Sequence, residues 1–123
     1  MKKIDKIKWF LEPEEQDYPA AQSYLSLIFD LDTTTELVTQ LKQASLLLYK
    51  AKDLFRASTL SMLGVSNSHV ETNIEKIKSN KKISPLLIVR DTVNRKLIIA
   101  DGYHRLCAIY TFNEDEIIPC KIV

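Results

Sequence analysis

In Asp101-Gly102-Tyr103-His104-Arg105 the apolar run Lys96 to Ala100 passes through Asp101-Gly102 directly into a segment with helical spacing, Tyr103 to Phe112. A strand that turns directly into a helix leaves the helix's first N–H groups without intrahelical partners, and they carry partial positive charge. Such a turn receives an anion readily. Gly102 leaves room for close approach of a ligand, Arg105 offers paired donors to a phosphate, and His104 can donate a hydrogen bond or move a proton near neutral pH. Asp101 suits either an N-cap or, beside a phosphate, a Mg²⁺ ligand.

Each of these residues also has a plainer reading. Arg105 can pair with a carboxylate, His104 can satisfy a strand carbonyl, and Tyr103 can either stack on a base or pack at the first helical turn. His69 stands near a helix start, where a surface histidine is ordinary, and Ser66-Asn67-Ser68 before it reads as a cap. Lys76, Lys78, Lys81 and Lys82 suit a solvated helix face favoured by the helix dipole. Cys107 and Cys120 have no CxxC spacing for metal or redox work and are too few for a disulfide framework. Alternation with Ile118 and Ile122 puts Cys120 in the core.

The elements that must position the turn follow from periodicity. The residues to about Asp17, with Trp9, Phe10, Leu11 and Pro13, suit an irregular arm laid over the domain. Ala21, Tyr24, Leu25 and Ile28 form a helical stripe after Pro19. Asp32 to Thr35 offer caps for a second helix carrying Leu37, Val38 and Leu41. Residues 46–52 read as a strand, 53–58 as a short helical turn and the surroundings of Gly64 as a loop. Val70, Ile74 and Ile77 mark a further helix, residues 85–90 and 96–100 a strand-turn-strand unit, and 117–123 a closing strand. The expected fold is α+β: a small mixed β-sheet packed with helices, preceded by an N-terminal helical hairpin.

At this level the sequence resembles the ParB/sulfiredoxin superfamily, whose members carry a Gly-x-x-Arg or Gly-Cys-His-Arg turn at a helix start. The segments ISPLLIV, KLIIADGYHRLCAIY and IIPCKIV follow in the family's order, and Tyr49 to Arg56 resembles its opening strand with a trailing arginine. The resemblance implies a ParB/sulfiredoxin-like domain over 46–123, with 1–45 as an arm and hairpin packed on it in one folding unit. It implies phosphate contacts from Gly102, Tyr103, His104 and Arg105. Arg56 follows from the opening strand, and His69, Thr72 and Lys76 follow from a looser match of the preceding helix that needs a gap to align Ile77. The sulfiredoxin catalytic cysteine falls at Tyr103, which cannot supply a thiolate, so that repair reaction is not expected. Cys107 lies one helical turn beyond His104, outside the signature position.

These residues lead to one functional expectation with two rivals. The first is binding of ATP, another nucleotide or a phosphorylated small molecule, with Mg²⁺ as a companion ion and with phosphoryl transfer or hydrolysis as the extension, His104 and Asp101 carrying the catalysis. In that extension the turn acts as a nucleotide-dependent phosphotransferase or NTPase. The second is a noncatalytic interaction or regulatory module that engages a protein through the N-terminal arm. The third is a ParB-like nuclease or DNA-binding protein. Seventeen basic against sixteen acidic residues give a net charge of +1, which argues against nucleic acid as a partner selected by field. The sequence also lacks a helix-turn-helix after the turn. No apolar run reaches the roughly 18 to 20 residues of a membrane span, and Asp5 and Lys6 break the N-terminal run before signal-peptide length. A cytoplasmic location is the corresponding expectation.

Overall fold

The computed structural model describes residues 6–60 and 67–123. Its elements are α1 (Asp17–Leu25), α2 (Leu31–Gln43), β1 (Leu47–Lys50), α3 (Ala51–Ser58), α4 (Ser68–Lys78), β2 (Leu86–Asp91), β3 (Lys96–Asp101), α5 (Tyr103–Phe112) and β4 (Ile117–Ile122). The fold is α+β, with a four-stranded mixed sheet in the order β1-β4-β2-β3. The loop expected around Gly64, and Ser66 of the expected cap, lie outside the described residues.

Leu86-Leu87-Ile88-Val89 has no polar residue because β2 is covered on both faces. Alternation sends Leu86 and Ile88 into one core with Leu54, Val70, Ile77, Leu106, Ile109 and Ile118. Leu87 and Val89 enter a second core with Ala21, Leu25, Val38, Leu41, Ile98 and Ala100. Helices α3, α4 and α5 therefore lie on one side of the sheet, and the α1–α2 hairpin covers the other. β2 pairs antiparallel with β3 and parallel with β4, which pairs antiparallel with β1. Cys120 is buried as its alternation requires, and burial pushes its thiol up to about 12. No helix among the described residues is long and apolar enough to cross a membrane.

Three local boundaries differ from the sequence pattern. The α2 cap is Asp30, whose carboxylate accepts from the Thr33 amide at 2.7 Å. Starting one turn earlier lets Thr34, Val38 and Leu41 face the hairpin core. β1 stops at Lys50 and α3 begins at once, because the Ala51 and Lys52 amides bond to the Glu116 and Glu114 carbonyls, each at 2.9 Å. Ala51, Leu54 and Ser58 then turn inward. Of the predicted stripe in α1, Ala21 and Leu25 are buried, whereas Tyr24 is exposed, and so is Ile28 beyond the helix end.

One lysine joins the hairpin to the sheet. Lys121 lies on the hairpin side of β4 with only 1% of its surface exposed. Its ammonium donates to the Lys42 carbonyl at 3.1 Å and to the Tyr18 hydroxyl at 3.2 Å, and pairs with Glu12 at 3.1 Å. Burial pulls its pKa down, and the bonds to Tyr18 and Glu12 more than offset this, leaving it above the ordinary lysine value. Lys121→Met should lower the unfolding free energy by about 1–3 kcal/mol, since the Lys42 carbonyl loses its donor. An unchanged urea midpoint would show that this charge does not hold α2 to β4.

Candidate functional site

Gly102 is the hinge between β3 and α5, with φ 111° and ψ 14°. This left-handed conformation favours glycine. A Cβ here would lie 2.8 Å from both Arg105 Nη2 and Leu86 Cγ, so the glycine also admits the arginine packed against it. The sequence left Asp101 open as the helix cap. The structure corrects that reading: the N-cap is Gly102, with no side-chain cap bond, and Asp101 is the last residue of β3.

The Asp101 carboxylate instead accepts from Arg105 Nη2 at 2.9 Å, and the same nitrogen reaches the Pro85 carbonyl at 3.3 Å. Asp17, brought in by α1, stands 4.0 Å away on the other side. Asp17 is itself held by the Ser84 hydroxyl and by the Glu14 amide, the latter at 3.1 Å, and that amide is shared with Ser84 Oγ at 2.9 Å. Arg105 Nε is buried with no hydrogen-bond partner. The guanidinium is thus largely covered and tied to α1, the approach to β2 and the end of β3. Burial pushes the Asp101 carboxyl above its usual range, Arg105 opposes this, and the nearby Asp17 charge adds to it.

The open side of the turn is formed by other residues. His69 and His104 each occupy the second position of their helix, α4 and α5, and their rings lie 4.7 Å apart. The first turns of two helices therefore meet at a pair of imidazoles. Asn67 caps α4, accepting from the His69 and Val70 amides at 3.0 and 3.3 Å. Burial depresses the His104 pKa, and the positive charges of His69 and Arg105 lower it further. Tyr103 lies beside His104, with ring centroids 5.6 Å apart. Burial and the neighbouring Cys107 raise its phenol pKa. Cys107 itself is fully buried in the core.

The remaining sequence candidates lie elsewhere on the helices. Thr72 and Lys76 are exposed on α4, and the Thr72 hydroxyl donates to the Ser68 carbonyl at 2.8 Å. Arg56 is exposed, pairs with Asp53 at 3.4 Å and shares a surface hollow with Tyr110 and Glu114. Tyr110 is seven residues along α5 from Tyr103, about 10 Å by helical rise. The structure therefore joins His69 to the 101–105 turn and leaves Arg56 near the far end of α5. Asp17 and Ser84 were not read as site residues from the sequence; their connection spans 67 residues and has no local signature.

Chemically, the mouth offers two imidazoles and an α5 start without a side-chain cap, a combination suited to an anion. The arginine lies behind the glycine rather than in the opening. Among the described residues, no group of three or more His, Cys, Asp or Glu side chains is arranged to hold a metal ion. The chain matches no protein-family model, no curated protein and no solved structure.

Removing the cation should expose the role of this network. Arg105→Met leaves Asp101 and Asp17 without their buried partner and should cost about 3–5 kcal/mol of unfolding free energy. Adding Asp101→Asn should restore part of that loss in a urea double-mutant cycle. Additive effects of the two substitutions would refute the coupling.

Proposed function

We propose that the chain binds a phosphorylated small molecule, with a nucleotide as the leading class, at the mouth between the starts of α4 and α5. The observation that carries this reading is the meeting of His69 and His104, 4.7 Å apart, at two adjoining helix N-termini. Phosphate oxygens would accept from the imidazoles and from the first amides of α5. Arg105 acts from beneath the turn by fixing Gly102 and Asp101. The ParB/sulfiredoxin resemblance supports the same location, but the buried Arg105 pair makes His104, rather than Arg105, the direct ligand. With Asp101 committed to Arg105, the arrangement supports binding ahead of phosphoryl transfer.

The test is a thermal-shift panel with ATP, CTP, GTP, ADP and inorganic phosphate, each with and without Mg²⁺. A ligand at about 100 times its dissociation constant stabilises by roughly 2.7 kcal/mol, equivalent to several degrees in a domain of this size. The stabilisation should vanish in His69→Ala/His104→Ala, which leaves the buried arginine network intact. No shift with any phosphorylated ligand, or a shift retained in that double variant, refutes the reading.

The depressed His104 pKa fixes the sign of a pH dependence. An anion favours the protonated imidazole, so binding should draw a proton onto His104 as pH falls through the window below the ordinary histidine value of about 6.5. Sulfate, which keeps its double charge throughout, should therefore bind more tightly on acidification from neutrality. His104→Ala should flatten that dependence in calorimetric titrations; a slope that survives the substitution assigns the proton to another group.

A further inference from the structure

A cavity of about 250 Å³ lies between α3 and the sheet. Each strand contributes one residue to it: Tyr49 from β1, Ile122 from β4, Arg90 from β2 and Leu97 from β3, with Leu54 and Ala57 of α3 opposite. A more open hollow of about 240 Å³ shares Ala57, Arg90 and Leu97 with it and extends to Arg95 and Lys96. None of these residues belongs to the mouth at α5. Leu97 is four residues from Asp101 along β3, about 13 Å by strand rise.

Arg90 is the anomalous member of this lining. Alternation along β2 puts it on the same face as Leu86 and Ile88, and past their buried positions its side chain is exposed and lines the hollow. Its backbone is fixed by a 2.7 Å bond to the Val123 carbonyl. Among the described residues, no carboxylate lies within ion-pair distance of its guanidinium. The carboxylates that line these hollows have other partners: Asp53 pairs with Arg56 at 3.4 Å, and Asp91 accepts from the Asn94 amide and side chain at 3.1 and 2.8 Å. The result is a largely apolar surface hollow edged by an exposed arginine that pairs with no carboxylate among the described residues.

We propose that this cavity binds a small amphipathic carboxylate, a short acyl or aryl-alkyl acid. Its apolar body lies on Leu54, Leu97 and Ile122 beside the Tyr49 ring, and its carboxylate takes the paired donors of Arg90. The guanidinium fork matches one carboxylate, and Asp53 at the rim opposes a second negative charge. Arg95 and Lys96 in the adjoining hollow lead a monoanion towards Arg90.

The experiment is an amide NMR titration of the full chain with 4-phenylbutyrate, with 4-phenylbutanol as its uncharged counterpart. Saturable shifts should centre on Leu54, Ala57, Leu97 and Ile122. A hydrogen bond to a charged group predicts that Arg90→Gln weakens the acid by about tenfold or more while the alcohol changes by less than about twofold. Ala57→Phe, made at an exposed helix position, should fill the chamber and abolish both responses. The proposal is overturned if the acid produces no saturable shift, if the shifts centre on His69 and His104, if Arg90→Gln binds the acid as tightly as the wild type, or if Ala57→Phe still binds it.

Discussion

The placement of one largely covered arginine governs the geometry of this protein's most chemically distinctive turn. Arg105 cannot lie where it does unless residue 102 lacks a side chain, and Asp101 and Asp17 flank its guanidinium there. Those carboxylates come from opposite ends of the chain's architecture: Asp101 ends β3, and Asp17 begins α1. Ser84 and Glu14 then fix Asp17, so the approach to β2 and the N-terminal arm are drawn into the same network. Asp17 adds a second negative charge at 4.0 Å without a hydrogen bond, which favours the cation in a partly covered, lower-dielectric position. The N-terminal hairpin is thus more than a cover for the sheet, because it supplies one of the two charges beneath the turn.

Lys121 performs a comparable task on the hairpin side. A lysine with a fully covered ammonium is tolerable because three acceptors surround it, from α1, α2 and the arm. The buried parts of both sheet faces are mostly apolar, so Lys121 and Arg105 supply polar ties between the sheet and its covering layers. The arm follows the same logic. Ile7 is buried, Trp9 packs against the first core and bridges to Ile83, and Phe10 donates to the Ile83 carbonyl at 2.9 Å. The tryptophan expected as a surface for a protein partner is thereby partly used inside the molecule, while Leu11 remains exposed.

What was legible in the sequence was whatever a local pattern encodes. The α5 span of 103–112 follows from helical spacing after a glycine, and β2 follows from an unbroken apolar run after Pro85. The cap of α4 at Asn67 was readable for the same reason. The β1–α3 junction was not, because the bonds that end the strand come from Glu114 and Glu116, more than sixty residues later. The site divides in the same way. Histidines near two helix starts are visible in the sequence, but their meeting depends on how α4 packs on α5. The Asp17–Ser84–Arg105 network is wholly nonlocal, and its arginine looked like a ligand because spacing reports neither burial nor a distant carboxylate.

The charge balance beneath the mouth bears directly on what the mouth can hold. With both carboxylates ionised, Arg105 is outnumbered, and the trio presents a net negative charge to an incoming anion. The helix amides and imidazoles must then supply all of the attraction. Proton uptake changes this balance twice. Burial already inclines Asp101 towards its neutral form, and a proton there leaves Arg105 balanced by Asp17 alone. A proton on His104 adds a positive charge at the opening, resisted in the empty site by its burial and by Arg105 and His69. An anion seated between the imidazoles offsets that resistance, so ligand and proton favour each other by linkage. On the proposed reading the site is an anion mouth whose affinity varies with proton count, with its permanent positive charge held back beneath the glycine.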